Sequence, residues 1–354
     1  MEHLWKQNLR QIEPYVPGEQ SSDPDRIKLN ANENPYPPAP GVEAVLRSYD
    51  PAALCLYPDA NARLLKASIA RHYGVAPEQI FVGNGSDDVL ALAFQSFFNS
   101  DKPIAFPDIT YSFYPVWCRL FRIPFVTYPL TADFRIDPAD YAAPNGGVVL
   151  PNPNAPTSIG EDLPFVQALL EGNRDAVVII DEAYADFGGV SAVPLLADYP
   201  NLLVCGTFSK SRSLAGLRLG FAIGSPELIS VLEAVKNSYN SYTVDNLSLL
   251  CGAAAMDDEA YFAKTTAAVI TTRERVRRAL EQMGFSVLPS RTNFLFATKD
   301  GASMRDLFLY LKQRHIYIRY FDLPRIDNYV RITIGTDAQM DAFLQGTEAF
   351  LRGE

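Results

Sequence analysis

The sequence predicts an α/β fold: a large domain with a mostly parallel sheet covered by helices, followed by a smaller α+β domain at the C-terminus. Short apolar runs alternate with helical patterns from about residue 41 to 250, which is typical of crossover units between parallel strands. Each run is apolar throughout, as strands buried on both faces should be. After about residue 250 the alternation of apolar runs and helical patterns changes, which indicates a second domain.

Six strands are predicted for the large sheet, at 80–82, 103–106, 147–150, 176–180, 202–205 and 219–223. In the smaller domain we expect strands at 285–288, 292–297, 316–320 and 329–335, and helices at 259–283, 303–313 and 337–352. Residues 1–40 are rich in proline, which fixes φ and removes a donor, so this stretch predicts an extended arm. The predicted organisation is therefore an arm at 1–40 that contributes to the small domain, a large domain at 41–250 and a small domain at 251–354.

Composition argues against several classes of protein. The chain has 354 residues and a net charge of -10, so we expect no binding to nucleic acid or anionic membrane through bulk electrostatics. No apolar run approaches the roughly 20 residues that span a bilayer, and we expect no signal peptide. The four cysteines and three histidines are scattered, so no metal site is predicted and a reducing cytoplasm is expected.

A pair of carboxylates, Asp181 and Glu182, follows the fourth predicted strand. The carboxyl end of a buried parallel strand is where open α/β sheets bind ligands. The same residues would also suit an ATPase, but an ATPase requires a GxxxxGK[ST] loop upstream. The only upstream glycine-rich turn, at 83–86, lacks the lysine, so the sequence disfavours an ATPase.

Lys210 lies shortly after the fifth predicted strand, among hydroxyl and small residues. A lysine that is partly removed from water in such a place can act as a nucleophile. Further along the same segment, Arg218 offers a planar fork that suits a phosphate group. The alternative is an ordinary solvated loop of serine, lysine and arginine.

A glycine turn joins the first predicted strand to a helix. The N–H groups at the start of this helix, just after Gly85, form an anion site. The turn lacks the third glycine of a dinucleotide fingerprint. Asp87 and Asp88 would repel a phosphate, so binding has to rest on the backbone and on Ser86; a helix that is simply capped by acidic residues is the alternative.

A proline-rich loop at 150–157 follows the third strand, where a rigid backbone can aim an asparagine amide at a ligand oxygen. The four strand ends together supply what pyridoxal 5'-phosphate needs. They offer a lysine for covalent attachment, a carboxylate for the ring nitrogen, donors for the ring oxygen, and a helix terminus with an arginine for the phosphate.

These motifs resemble those of the fold-type I pyridoxal-phosphate aminotransferases, and within them those of the histidinol-phosphate aminotransferases. The resemblance covers nearly the whole chain and is carried by the segments 14–18, 29–35, 57–59, 83–88, 110–114, 181–184, 209–218 and 331–336. It implies transamination between histidinol phosphate and 2-oxoglutarate in histidine biosynthesis. It also implies a cytoplasmic homodimer with shared active sites.

The resemblance implies a role for each matching residue. Lys210 binds the cofactor covalently and moves the substrate proton, Asp181 pairs with the ring nitrogen, and Tyr184 hydrogen-bonds the ring oxygen together with Asn154. Tyr111 stacks on the ring. The residues expected around the cofactor phosphate are Gly85, Ser86, Asp87, Thr207, Ser209, Arg218 and, from the neighbouring subunit, Tyr57. The residues expected to bind substrate are Tyr15, Asn32, Arg319 and Arg331.

Several alternatives stay open at this point. Ala155 and Ser158 depart from the commoner Asn-Asn-Pro-Thr-Gly pattern, which leaves Asn154 for the ring contact. Arg212 is either a further phosphate contact or a surface charge, and each substrate arginine has a structural ion pair as its alternative. The alternative reactions are those of an aromatic aminotransferase or a threonine-phosphate decarboxylase. A dinucleotide-dependent oxidoreductase and a non-catalytic regulator are alternatives of a different class.

Overall fold

The computed structural model describes residues 3–16, 18–19, 22, 24–142 and 144–354. The strands are β1 (Ile27–Lys28), β2 (Ile80–Gly83), β3 (Ile104–Pro107), β4 (Phe125–Tyr128), β5 (Gly147–Pro151), β6 (Val178–Asp181), β7 (Leu202–Thr207), β8 (Gly220–Gly224), β9 (Ser286–Val287), β10 (Phe294–Thr298), β11 (Ile316–Tyr317), β12 (Arg319–Tyr320) and β13 (Val330–Thr333). The α-helices are α1 (Pro40–Ser48), α2 (Arg63–Tyr73), α3 (Ser86–Phe97), α4 (Phe113–Phe121), α5 (Leu163–Gly172), α6 (Pro226–Asn237), α7 (Asn246–Asp257), α8 (Glu259–Gln282), α9 (Met304–Gln313) and α10 (Asp337–Arg352). No described helix combines the length and the hydropathy that a membrane span requires.

Seven strands form the large sheet, in the order β2, β8, β7, β6, β5, β3, β4. All pairs from β7 to β4 are parallel, whereas β8 is antiparallel to both β7 and β2. Successive residues of β6 point to opposite faces, so Val178 and Ile180 lie in one apolar core and Ile179 lies in the other. Because both faces are covered, the strands are apolar throughout. The predicted α/β fold with a mostly parallel sheet is confirmed.

The edge strand β4 is absent from the prediction, while the other six strands lie within two residues of their predicted positions. The residues of β4 are half-buried or exposed, because one side of this strand has no neighbour in the sheet. An edge strand of this kind gives a weak apolar run, so its pattern does not stand out from the surrounding loops.

A second sheet is antiparallel and contains β12, β13, β10 and β9, in that order. The helices α8, α9 and α10 pack with it around an apolar core that includes Leu295, Ile332 and Phe343. The smaller α+β part of the predicted fold is therefore confirmed. The predicted limits of the domains stay a prediction; residue 250 lies inside α7, which packs against α1 and α2.

The predicted strand at 316–320 is two short strands in the structure, because the chain changes its partner at Ile318. Before this residue, β11 pairs in parallel with β1, which belongs to the N-terminal arm. After it, β12 pairs antiparallel with β13. Ile318 itself is buried in the core of the small sheet. Part of the predicted extended arm thus becomes a strand, through a long-range pairing that no local pattern indicates.

Candidate active site

The carboxyl ends of β5, β6 and β7 meet along one edge of the large sheet, as parallel strands require. A cavity of about 340 Å³ lies at this edge and is also lined by the N-terminal arm and by the small antiparallel sheet. The predicted site residues that line it are Tyr15, Asn32, Ser86, Asp87, Tyr111, Asp181, Tyr184, Thr207, Ser209, Lys210, Arg218, Arg319 and Arg331. Side chains from distant parts of the sequence therefore converge on one cavity of the size that small ligands occupy.

Lys210 lies in the loop after β7 and its side chain lines the cavity. Its Nζ donates a hydrogen bond of 3.3 Å to the carbonyl oxygen of Ala31 and lies 5.8 Å from the centre of the Tyr184 ring. The side chain of Asn34 holds the loop by donating to the carbonyl oxygen of Lys210 over 2.9 Å. The lysine amine is thus half-buried and has one long hydrogen bond to a neutral group, which leaves it available for chemistry.

Asp181 is the last residue of β6 and is 5% exposed. The hydroxyl of Tyr114 donates to Oδ2 over 3.0 Å, and the N–H of Ala183 donates to Oδ1 over 3.1 Å. Burial raises the pKa of Asp181 to about 6, although these two hydrogen bonds and the charge of Lys210 act in the opposite direction. A cationic group in the cavity would therefore stabilise the ionised carboxylate.

Tyr184 and Asn32 are in contact in the cavity wall. The Nδ2 of Asn32 donates to the Tyr184 hydroxyl oxygen over 2.9 Å. Asn32 has a left-handed backbone with φ of 54°, a conformation that asparagine adopts more readily than most residues. The Tyr184 ring packs edge-on against Phe294, with 5.1 Å between the ring centres. These contacts hold a phenol hydroxyl beside Lys210.

The start of α3 forms an anion-binding cradle. Gly85 has φ of 88°, which favours glycine, and it turns the chain into the helix. Gly220 of β8 lies so close that an added Cβ would come within 2.3 Å of the Ser86 nitrogen. Within the described parts of the chain, no acceptor is found for the N–H groups of Ser86 and Asp87. These free donors at a helix N-terminus suit a phosphate or carboxylate.

The side chain of Asp87 joins Arg218 to Tyr111. The Nη2 of Arg218 donates to Asp87 Oδ2 over 3.1 Å, and the hydroxyl of Tyr111 donates to Oδ1 over 2.7 Å. Burial, followed by the charge of Asp87, raises the pKa of Tyr111 well above its ordinary value, so the phenol stays a donor. Because Arg218 offsets the charge of Asp87, the repulsion expected between this carboxylate and a phosphate is reduced.

The hydroxyls of Thr207 and Ser209 lie at the end of β7, with 3.0 Å between their oxygens. The N–H of Ser209 also donates to Thr207 Oγ1 over 3.1 Å. Both residues line the cavity, so the strand end adds two hydroxyl groups to the donors at the start of α3.

Two arginines of the small sheet, Arg319 on β12 and Arg331 on β13, are paired in register and both line the cavity. Neither forms a salt bridge with any described residue. Arg331 donates through Nη2 to the carbonyl oxygen of Asn30 over 2.9 Å, but its buried Nε has no hydrogen-bond partner among the described residues. Burial lowers the pKa of Arg331 from its ordinary value. Among the residues that the structure describes, the two guanidinium groups thus have no acidic partner, and such a pair suits an anionic ligand.

The N-terminal arm closes one side of the cavity. Tyr15 stacks on Phe113 with 4.1 Å between the ring centres, and it contributes to the cavity wall. Glu33, expected in the arm that closes over the substrate, forms a salt bridge of 2.6 Å with Lys28 in the same wall, a contact that the sequence does not predict. Pro17, which belongs to the predicted arm motif 14–18, lies outside the described residues.

The structure does not bring Asn154 or Tyr57 into the cavity wall, and Gly85, at the N-cap of α3, does not line it either. Asn154 donates its amide hydrogens to the carbonyl oxygen of Ile109 over 3.0 Å and to the Thr157 hydroxyl over 2.9 Å, while the neighbouring Ala155 lines the cavity. The ring contact of Asn154 stays a prediction, and the geometry does not favour it. Tyr57 is 81% exposed, which leaves it available to a neighbouring chain.

Arg212 is neither a phosphate contact nor a surface charge, so both sequence-based alternatives are wrong. Its side chain is buried, and its guanidinium carbon lies 3.7 Å from the centre of the Phe262 ring. Its Nη1 donates to the carbonyl oxygens of Ala255 and Met256 over 3.0 and 3.4 Å. Burial lowers the pKa of this guanidinium. Arg212 therefore anchors the Lys210 loop by bonding to the end of α7.

Two contacts with predicted site residues were not predicted from the sequence. Tyr114 donates to Asp181, and Asn34, which was expected only in the arm that closes over the substrate, donates to the backbone of Lys210. Both belong to the motifs 110–114 and 29–35, so the motifs themselves were the available signal. The direction of each side chain depends on how distant elements pack, and the local sequence does not contain that information.

Comparison with known proteins gives consistent matches. The family described as Aminotransferase class I and II matches residues 24–346. The chain is 51% identical over 352 residues to the histidinol-phosphate aminotransferase of Chromohalobacter salexigens. The alignment covers 99% of this chain and 100% of that protein. It is also 51% identical over 354 residues to histidinol-phosphate aminotransferase 1 of Methylococcus capsulatus, which covers 100% of this chain and 99% of that protein.

A solved structure shows the same similarity. It is that of the histidinol-phosphate aminotransferase from Sinorhizobium meliloti in complex with pyridoxal-5'-phosphate. Its TM-score is 0.81 at 26% sequence identity, and the match covers 92% of this chain and 90% of that chain.

Proposed function

We propose a reaction for this chain, which belongs to the aminotransferase class I and II family. Within that family it belongs to the histidinol-phosphate aminotransferases. The predicted resemblance is thereby confirmed. The proposed reaction transfers the amino group of histidinol phosphate to 2-oxoglutarate, giving imidazole acetol phosphate and glutamate, in histidine biosynthesis. Its cofactor is pyridoxal 5'-phosphate, and a cytoplasmic location stays a prediction.

The chemistry of the cavity residues fits pyridoxal 5'-phosphate. When bound, this cofactor supplies an aldehyde for covalent attachment and an aromatic ring that takes up electrons from the substrate. The amine of Lys210 would bond to the cofactor and would later carry the proton to and from the substrate Cα. Asp181, a buried carboxylate in the same wall, would hold the protonated ring nitrogen, and this positive charge would lower the pKa of Asp181 again.

The phosphate of the cofactor would bind to the cradle at the start of α3. The backbone N–H groups of Ser86 and Asp87 lie at a helix N-terminus, which favours negative charge. The hydroxyls of Thr207 and Ser209 and the guanidinium of Arg218 add further donors. Arg218 would then share its donors between the phosphate and Asp87.

The phosphate of the substrate would bind to the two arginines of the small sheet. Arg319 and Arg331 line the cavity, form no salt bridge with a described residue, and include a buried Nε without a partner. A planar guanidinium matches a phosphate through two parallel hydrogen bonds. Tyr15 and Asn32, in the arm that closes the cavity, would contact the rest of the substrate.

We place the homodimer interface on the exposed apolar surface around Tyr57. Leu54 and Leu56 are each 70% exposed, and Tyr57 stacks on Tyr242 with 4.5 Å between the ring centres. Large exposed side chains in one region are typical of an interface between subunits. A second copy that docks there would bring its Tyr57 to the phosphate cradle, which would make each cavity a shared site.

The observation that carries the proposal is that Lys210, Asp181 and two arginines line one cavity, and that neither arginine has an acidic partner among the described residues. An amine and a buried acid would suit many pyridoxal-phosphate enzymes. The arginines narrow the substrate to an anionic one, because two neighbouring guanidinium groups repel each other until an anion binds between them.

The test is the half-reaction of the purified holoenzyme with single amino donors. We expect histidinol phosphate to convert the cofactor to its amine form, seen as loss of the yellow absorbance. Histidinol, which lacks the phosphate, should react at least about tenfold more slowly, since it loses hydrogen bonds to charged groups. Lys210→Ala should abolish the cofactor adduct that borohydride traps on the wild-type protein.

Each alternative has its own outcome in these assays. Conversion with phenylalanine but not with histidinol phosphate would identify an aromatic aminotransferase instead. Release of carbon dioxide from threonine phosphate would identify a decarboxylase. Bound NAD with normal activity in Lys210→Ala would indicate an oxidoreductase, and bound cofactor without any turnover would indicate a regulator.

A further inference from the structure

The hydroxyl oxygen of Tyr184 accepts a hydrogen bond from Asn32, whose Nδ2 lies 2.9 Å away. A phenol that accepts one hydrogen bond keeps its own proton for another partner. Since Tyr184 lines the cavity, that proton is available to a ligand in the cavity. The orientation of the Asn32 amide therefore decides whether Tyr184 can donate there.

Thr333 sets the orientation of this amide. Its Oγ1 accepts the backbone N–H of Asn32 over 3.0 Å and donates to Asn32 Oδ1, also over 3.0 Å. If the amide were rotated, the threonine proton would face an NH₂ group, so that two donors would meet. Thr333 is 2% exposed and Asn32 is 1% exposed, so such a mismatch would stay unrelieved by bulk water.

The backbone of Asn32 is held independently of its side chain. The Nδ2 of Asn293 donates to the carbonyl oxygen of Asn32 over 3.0 Å. Thr333 itself does not line the cavity, and its hydroxyl is linked to the cavity wall through Asn32. It shares a face of β13 with Arg331, because residues two apart in a strand point to the same side.

We propose that Thr333 is a positioning residue that directs the proton of Tyr184 into the cavity through Asn32. This inference rests on the proposed function, in which Tyr184 donates to the ring oxygen of pyridoxal 5'-phosphate. The hydrogen bonds run in one direction, from Thr333 to Asn32, from Asn32 to Tyr184, and from Tyr184 to the ring oxygen. Without the Thr333 hydroxyl, the Asn32 amide can turn its oxygen towards Tyr184 and accept the proton that the ring oxygen requires.

The experiment measures the pH midpoint at which the absorbance of the Lys210-bound cofactor changes. When the ring oxygen loses a donor, its negative charge holds the proton on the lysine nitrogen more tightly, so the midpoint rises. We expect Thr333→Val to raise it by about 0.5–1 pH unit, the equivalent of one lost hydrogen bond. Thr333→Ala, which also lacks the hydroxyl, should do the same, and Thr333→Ser should restore the wild-type midpoint.

A double-mutant cycle separates this relay from a general loss of structure. Tyr184→Phe should raise the midpoint at least as much as Thr333→Val, and the double variant should match Tyr184→Phe alone. An unchanged midpoint in Thr333→Val, or an equal further shift in the Tyr184→Phe background, would refute the relay while the proposed function stands. Absence of a borohydride-trapped adduct in the wild-type protein would instead overturn the proposed function, and the relay with it.

Discussion

At the scale of single residues, two adjacent carboxylates at the end of β6 have different surroundings. Asp181 lines the cavity, whereas Glu182 accepts the N–H of Ala192 over 2.6 Å and is not part of the cavity wall. Burial raises the pKa of Asp181 to about 6 and that of Glu182 to about 8. A cationic ligand in the cavity would lower the pKa of Asp181 but not that of Glu182. We therefore expect ionised Asp181 to destabilise the protein until such a ligand binds.

The first prediction concerns the stability of the apoprotein with pH. The pKa of Asp181 is raised by burial from 3.8 to about 6, so the folded state binds more protons than the unfolded state between these values. The stability that is present below pH 4 is therefore lost as the pH rises through 6. Relative to Asp181→Asn, the wild-type apoprotein should lose about 2 kcal/mol of unfolding free energy between pH 4 and pH 7.

Urea unfolding of both proteins across this pH range measures the difference. Asp327→Asn, at an exposed site, is the matched control and should run parallel to the wild type. A constant difference between wild type and Asp181→Asn would show that Asp181 is not strained in the empty cavity. Saturation with the cofactor should reduce the pH-dependent loss, because the ring nitrogen supplies the missing positive charge.

At the scale of elements, the loop after β7 is held from three sides. Asn34 of the N-terminal arm donates to the carbonyl oxygen of Lys210, and the hydroxyl of Ser211 donates to Asp186. Arg212 donates to the last carbonyl groups of α7, where a positive charge is favoured by the helix dipole. A loop held in this way keeps the backbone of Lys210 in place without restricting the side chain that reacts.

The second prediction is that Arg212→Met destabilises the protein by about 2–3 kcal/mol. Methionine fills similar space, but it leaves the buried carbonyl oxygens of Ala255 and Met256 without their charged donor. Urea unfolding measures this loss. Arg278→Met, at an exposed position of α8, is the control and should change the unfolding free energy by no more than about 0.5 kcal/mol. Equal stability of both variants would contradict the anchoring role of Arg212.

At the scale of the whole molecule, the cavity combines two sheets and the arm. The large sheet supplies the lysine and the acid, the small sheet supplies both arginines, and the arm supplies Tyr15 and Asn32. The exposed apolar surface around Tyr57 lies outside this cavity. In the proposed dimer, that surface joins two such cavities, so assembly and cofactor binding depend on each other.

The third prediction is that Leu56→Glu yields a monomer. The wild-type protein should have twice the chain mass of 39.2 kDa by light scattering, whereas the variant should have the chain mass. A charge in the centre of an apolar interface would lose its water without gaining a partner. The monomer should also bind the cofactor more weakly, since it lacks the partner subunit's Tyr57.

Leu309→Glu provides the control for this experiment. Leu309 is 43% exposed on α9, and it lies on the small domain rather than on the proposed interface. This variant should keep the mass and the cofactor affinity of the wild type. A dimer in Leu56→Glu would place the interface elsewhere on the molecule.

The elements and the chemistry of the site follow largely from local sequence. Buried strands require continuous apolar runs, and groups that react must follow those runs at the carboxyl ends of parallel strands. For this reason the sequence could place Asp181, Tyr184, Lys210 and Arg218 together, and all four line one cavity in the structure. Their proposed roles go beyond this placement and wait for the experiments above.

Contacts between distant segments were decided only by the tertiary structure. The sequence by itself determined most of the strands and helices and the reactive groups that follow them, but not the edge strand β4 or the strand β1 in the arm. The pairing of β1 with β11, the inward burial of Arg212 and the contact of Asn32 with Thr333 join segments that are far apart in the chain. The physical reason is that periodicity reports the environment of a residue along its own element, whereas its partner depends on where the rest of the chain folds back.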